Sequence, residues 1–269
     1  MISALEAPRK YGWKRDNPKG YNRDLPFMLS RKAEEDLPRL VDLRPHMPPV
    51  FDQGELGACT GNAIAAALEY NQTKQGQKTF RPSRLFIYYN ERVLEGTVDE
   101  DSGAQLRDGL RAVVKFGAPP EESGLPGAWP YHVSRFRTQP PAISYNVAAE
   151  HQALVYRRVP QNKVDILSAL ADGFPVLFGF TVFTQFQSDE AKESGTIFMP
   201  KHSDEELGGH AVLASGYDMG GYDVNDGVRI LVRNSWSADW GKNGYCTFPI
   251  AYLLDRDLAS DFWTISRVE

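Results

Sequence analysis

A chain of 269 residues, 42% hydrophobic and 24% charged, is long enough for one large domain or two small lobes around a sizeable core. Its net charge of −5 weighs against a dedicated nucleic-acid binder, and no segment approaches the length of a membrane span. Only two cysteines are present, Cys59 and Cys246, which excludes a disulfide framework.

Residues 1 to about 39 are rich in Lys, Arg, Pro and Asn and carry no sustained period. The first ten residues have neither a positive n-region nor an apolar h-region, so no signal peptide is expected; the default location is the cytoplasm, with export left open. The segment reads as an irregular, mostly extended leader. Two readings stay open for it: a flexible tail, or a strap that packs Trp13, Tyr21, Leu25, Phe27 and Met28 over a groove of the main domain.

From Ala58 to Tyr70 the alanine-rich order predicts a buried helix, since small residues permit close packing. A second helix is predicted over Ser83 to Glu95, with Leu85, Ile87, Tyr88 and Leu94 as its apolar positions. A third is predicted over Ala104 to Phe116, with Leu106, Leu110, Val113 and Val114 at helical spacing and Gly117 as its stop. A loop rich in Pro and Gly follows, from Ala118 to Pro130. The period then changes. Gln152 to Val159 reads as a strand, and Val164 to Asp172 as a short helix ended by Gly173. Strands are predicted over Pro175 to Phe183, His210 to Tyr217, Val228 to Asn234 and Gly244 to Pro249. Cys246, in the last of these, reads as a small buried residue. A helical half, about 40–140, thus precedes a strand-rich half, about 145–250, which is an α+β chain of two lobes. Asn71-Gln72-Thr73 is a formal glycosylation acceptor, but it falls on the first helix.

Cys59 stands where that first helix begins. Unpaired N–H groups and the macrodipole at a helix start favour an anion, and a thiol must be ionised to act as a nucleophile. His210, preceded by Gly208 and Gly209 and followed by an apolar strand, is the histidine best placed to reach a cleft. Asn234 could orient the imidazole through its side-chain carbonyl, and Trp236 could shield that bond from water. Gln53, six residues before Cys59, offers a neutral N–H donor for an oxyanion, with the Cys59 amide as a second. Cysteine, histidine and asparagine in this order are the parts of a thiol acyl-transfer site.

These residues resemble the papain-like cysteine peptidases. The resemblance rests on Val41-Asp42-Leu43-Arg44, Asp52-Gln53-Gly54 with Gly57-Ala58-Cys59, Gly209-His210-Ala211-Val212, Asn234-Ser235-Trp236, and Trp240-Gly241-Lys242-Asn243-Gly244-Tyr245. It implies a catalytic domain over 40–269, with a helical lobe, a β-barrel-like lobe and the site in the cleft between them. It implies Cys59 as nucleophile, His210 as acid and base, Asn234 as orienter and Gln53 as oxyanion donor. It places a substrate-backbone strand at Ser102, Gly103 and Ala104, and pocket walls at Leu106, Gly179 and Ala211. Gly209 and Trp236 would complete the binding surface. Thr60 stands where an aromatic residue is usual, Leu56 where a cysteine is usual, and Ala104 replaces a glycine. Gly179 implies a roomy pocket that favours a bulky apolar or aromatic side chain. The implied partner is a peptide or protein substrate, with residues 1–39 as a short pro-segment and intramolecular inhibitor; no metal, organic cofactor, nucleic acid or membrane is implied. The expected activity is endopeptidase hydrolysis through a thioester. Another acyl transfer on the same fold, such as amidase, transglutaminase-like or ligase chemistry, uses the same triad, and a non-catalytic binding protein is the remaining alternative.

Overall fold

The computed structural model describes residues 9–17, 33–220 and 227–268. In chain order its elements are β1 (Trp13–Lys14), β2 (Leu40–Asp42), α1 (Cys59–Lys74), α2 (Arg84–Glu95), β3 (Ala104–Gln105), α3 (Leu106–Phe116) and α4 (Ala142–Ala148). They continue with β4 (Ala153–Arg158), α5 (Lys163–Ala171), β5 (Val176–Phe183), α6 (Asp189–Ser194), β6 (Glu206–Asp218), β7 (Arg229–Arg233), β8 (Tyr245–Pro249), α7 (Ile250–Leu254) and β9 (Ala259–Val268). The architecture is the papain-like α+β fold of two lobes, helices first and a large antiparallel sheet second.

The helical lobe is built around α1. Ala63, Ala65, Ala66 and Ala67 are nearly inaccessible, and their small side chains let neighbours approach the backbone. At Gly61 a Cβ would stand 2.8 Å from the Arg84 carbonyl oxygen, so a glycine is required where α1 crosses α2. The Ser83 hydroxyl caps α2 by accepting from the Phe86 N–H at 3.1 Å. Gly117 ends α3 in the left-handed region, at φ 73°.

The sheet runs β4-β9-β5-β6-β7-β8, with β2 paired to β6 off that path. Its two faces are both covered, as β5 shows. Val176, Phe178, Phe180 and Val182 enter one apolar cluster, while Leu177 enters the other with Ile64, Leu110 and Trp263. On the first face the Phe178 and Phe262 rings stack at 5.5 Å, and Phe180 meets Phe248 edge-on at 5.0 Å. On the second face Gly179 follows Leu177 by two residues and contributes no side chain, leaving a gap between sheet and helical lobe.

Several expectations are corrected. The third helix begins at Leu106, because Ala104–Gln105 pairs in parallel with β1. His210 lies inside β6 rather than at its start. β7 ends at Arg233, so Asn234 and Trp236 lie beyond the strand. The sheet does not stop near residue 250: β9 lies between β4 and β5. β2, within the expected helical half, also belongs to this sheet. Asn71 is 1% exposed and donates to the Ala67 carbonyl within α1, so a glycan has no access to it. Residues 9–17 are extended and lie on the domain, with Trp13 buried. Tyr21, Leu25, Phe27 and Met28 lie outside the described residues.

Candidate active site

Cys59 is the first residue of α1, and no side chain caps the helix there. The turn before it is held by Gly54, at φ 60°, and by the Gly57 N–H, which donates to Asp101 Oδ1 at 3.0 Å. Gln53 sits under this turn and is fully buried. Its Oε1 accepts from the Ser235 hydroxyl at 2.7 Å, and its Nε2 donates to the Leu56 carbonyl at 2.9 Å. Two fixed partners of opposite type leave the amide one orientation. The second Nε2 hydrogen is directed at the Lys10 carbonyl, 3.3 Å away.

His210 and Asn234 are joined at 2.9 Å between Nε2 and Oδ1. The same Oδ1 accepts from the Ser235 N–H at 2.8 Å, which identifies it as the carbonyl oxygen. Nε2 of His210 is therefore the protonated nitrogen of the neutral ring. Nδ1 is buried without a hydrogen-bond partner among the described residues, and is the nitrogen free to exchange a proton. Trp236 lies 5.1 Å from the imidazole, centroid to centroid, and Phe180 and Phe186 close its other sides at 5.7 and 6.2 Å.

Ala211, the residue after His210 on β6, brings its backbone N–H to the Cys59 sulfur. The backbone N–H groups of Ala211, Gly12 and Thr60 act on the Cys59 sulfur and favour the thiolate. Burial outweighs them and, with the Glu91 carboxyl behind the helix, pushes the thiol up to about 11. Burial likewise lowers His210 to about 4; the Asn234 bond opposes this and Arg9 adds to it. Both groups are thus uncharged at neutral pH beneath residues 9–17.

That segment follows the expected binding surface. Arg9 pairs with Asp52 at 2.7 Å, and Lys10 with Asp101 at 2.8 Å. The Tyr11 side chain rests on Gly208 and approaches the His210 and Trp236 rings, at 6.2 and 6.1 Å. The Gly12 carbonyl accepts from the Ala104 N–H at 2.7 Å. The Trp13 indole fills the gap at Gly179, where a Cβ would stand 1.9 Å from the ring, and shares a buried cluster with Leu106 and Ala211. Added Cβ atoms at Gly103 and Gly209 would likewise strike Gly12 and Trp13. Ser102 is the exception among the expected contacts: its hydroxyl bonds Thr97 and the Gly103 carbonyl instead. Cys246 is buried in β8, opposite Val232 of β7, and both cysteines are free.

Four acids near the site are missed by sequence reasoning: Asp16, Glu91, Asp101 and Asp261. Asp101 holds the Gly57 turn and Lys10, and Glu91 accepts from the Thr60 hydroxyl at 2.5 Å. Asp261 accepts from the Trp13 indole at 3.2 Å and the Asp16 N–H at 2.8 Å. Thr60 carries the one available signal, because a small hydroxyl replacing an aromatic ring beside a nucleophile implies a polar neighbour.

Comparison with known proteins agrees with this geometry. The structure is similar to the crystal structure of xylellain, a cysteine protease from Xylella fastidiosa, at 35% identity and a TM-score of 0.83, covering 99% of this chain and 100% of that one. A peptidase C1-like protein of Acanthamoeba polyphaga mimivirus is 43% identical over 242 residues, 87% of this chain and 74% of the viral protein. Procathepsin L of Rattus norvegicus is 26% identical over 217 residues, and the match spans 59% of that longer protein. Residues 37–252 match the papain family of cysteine proteases as a whole, and the chain belongs to that family.

Proposed function

We propose that this cysteine protease is an endopeptidase, held latent by its own residues 9–17. In the working state Cys59 is the nucleophile. Once the cover leaves, the Cys59 thiol passes its proton to His210 Nδ1; the thiolate attacks the substrate carbonyl, and the Gln53 Nε2 hydrogen now facing Lys10 stabilises the oxyanion together with the Cys59 N–H. His210 gives its Nδ1 proton to the leaving amine, forming the thioester, then takes a proton from the water that hydrolyses it. Asn234 keeps the ring in the tautomer and orientation that both steps need. No metal enters this scheme.

One observation carries the reading: Gly12 lies on the Cys59 sulfur with continuous backbone on both sides, from Arg9 to Asn17. A cleft that admits a chain past its nucleophile in both directions suits an endopeptidase. Latency follows from the same contact, since the cover occupies the binding surface and keeps thiol and imidazole uncharged. An epoxide thiol trap tests both parts. Full-length protein should label slowly at Cys59, protein lacking residues 1–39 should label fast and cleave internal bonds of a long peptide, and Cys59→Ala should do neither. Equal labelling with and without the segment removes the latency, and cleavage confined to chain ends removes the endopeptidase.

A further inference from the structure

We propose that Asp101 and Tyr88 are positioning residues for the reaction: together they fix the oxyanion donor Gln53 against the strand that holds the substrate backbone. The proposal rests on the peptidase reading and adds to it two side chains that act through others.

Gln53 meets the Leu56–Gly57 peptide bond at one end, and Asp101 meets it at the other. Gln53 Nε2 donates to the carbonyl oxygen of that bond at 2.9 Å, and its N–H donates to Asp101 Oδ1 at 3.0 Å. A peptide unit is planar, so holding both polar ends leaves it one orientation. The Leu56 carbonyl in turn engages one Nε2 hydrogen of Gln53. That aims the other hydrogen, the one proposed for the oxyanion.

Asp101 Oδ1 also accepts from the Tyr88 hydroxyl at 2.5 Å, and the Tyr88 oxygen accepts from the Gly103 N–H at 3.1 Å. The single hydroxyl hydrogen is committed to Asp101, so the chain of donors runs one way, from Gly103 through Tyr88 to the carboxylate. Gly103 belongs to the expected substrate-backbone strand. A continuous set of hydrogen bonds thus joins that strand to the oxyanion donor, with Tyr88 fully buried along it. The loop that delivers Asp101 is fixed as well: Arg92, also buried, donates to the Val98 and Glu100 carbonyls at 2.9 Å each. Lys10 of the cover pairs with Asp101 Oδ2, not Oδ1, so its departure leaves the chain intact.

The test uses the full-length chain carrying Gly12→Ala and Trp13→Ala, which removes both the fit and the anchor of the cover. Active enzyme is counted by epoxide titration of Cys59, so loss of folded protein does not register as loss of rate. In this parent, Asp101→Ala should lower kcat on a fluorogenic peptide about tenfold or more, because a small misplacement of a catalytic group costs that much. Asp101→Asn keeps the Oδ1 acceptor and should restore kcat to within about threefold of the parent. Tyr88→Phe cuts only the strand end of the chain. It should raise KM about two- to tenfold, the worth of one hydrogen bond, with far less effect on kcat. In a Gln53→Ala background, Asp101→Ala should lower kcat little further, because the donor it aims is gone. Equal losses in Asp101→Asn and Asp101→Ala overturn the role, as do fully additive losses in Gln53→Ala and Asp101→Ala. So does a Tyr88→Phe chain whose KM and Gly103 amide exchange both match the parent; this variant lacks one oxygen and decides alone if Asp101→Ala does not fold. A parent Cys59 that fails to titrate overturns the peptidase reading, and this role with it.

Discussion

Gly12 and Gly57 meet backbone to backbone: a Cβ on Gly12 would stand 1.7 Å from the Gly57 carbonyl oxygen. No rotamer can relieve that overlap, because the obstructing atom belongs to the turn that positions Cys59. A single methyl group on the cover is therefore incompatible with its seat. Overpacking of this kind costs about 1–3 kcal/mol, which converts to roughly 5–150-fold more of the open form. Gly12→Ala in the full-length chain should raise both the alkylation rate of Cys59 and the turnover of a small fluorogenic peptide by a factor in that range. Rates equal to the unmutated chain would show that the segment does not gate the site.

Asp16 makes the cover sensitive to pH. Its carboxyl accepts from the Trp263 indole at 3.0 Å and the Arg107 N–H at 3.2 Å, and it faces Asp261 and the Arg107 guanidinium. Burial first, then the Asp261 charge, raises it from 3.8 to about 8. The seated cover thus holds a proton that the free segment gives up above 3.8, so seating is favoured below that value and lost as pH rises through about 8. His210 works the opposite way, down from 6.5 to about 4 when covered, but only within that window. Above 6.5 the Asp16 effect stands alone until Cys59, raised from 9.0 to about 11, adds to it in the same sense. Cys59 labelling of the full-length chain, corrected for the thiolate fraction of the uncovered enzyme, should increase between pH 6.5 and 8. Asp16→Asn should flatten the rise; a flat profile in the unmutated chain would discard it.

Gln53→Ala removes the N–H of the proposed oxyanion donor. It also removes the bonds to Ser235 and Leu56, so the comparison uses variant protein whose Tm shows it folded. With the cover removed, kcat should fall about 10²–10³-fold while KM changes little, because the lost bond forms only as charge develops on the attacked carbonyl. An equal fall in substrate affinity would assign Gln53 to ground-state binding.

Much of the proposed site was legible because thiol acyl transfer would need particular residue types at fixed places: Cys59 at a helix start, His210 behind two glycines, Asn234 ahead of a tryptophan. The periodic elements α1, α2 and β5 were legible for the same reason, each having one dominant environment. β9 was not. Phe262 and Trp263 are adjacent and both buried, on opposite faces, and the left-handed Asp261 interrupts the pattern before them, so no alternation survives. Asp261 was hidden with its strand. The β1–β3 pairing was hidden because two residues carry no period. Trp13 was visible as an apolar group in need of a partner, and Gly179 as a roomy wall, yet only the fold joins the two.

Glu91 supplies a test that does not involve the cover. It is fully buried behind α1, with the Thr60 hydroxyl on Oε1 and no partner for Oε2 among the described residues. Burial drives its carboxyl well above the usual value, with the charges of Glu95 and Asp108 acting in the same sense; the Thr60 bond and Arg92 oppose them. The native chain therefore binds a proton that the unfolded chain releases above about 4.5, and stability declines as pH rises from there. Glu91→Gln keeps the volume and an acceptor for Thr60 and has nothing to titrate. Its Tm should match that of the parent near pH 4.5 and exceed it increasingly toward pH 8. Thr60→Val, which leaves Oε1 without its donor, should lower stability by about 1–3 kcal/mol. A parent and a Glu91→Gln variant whose Tm curves stay parallel across that range would mean that Glu91 is not held neutral in the fold.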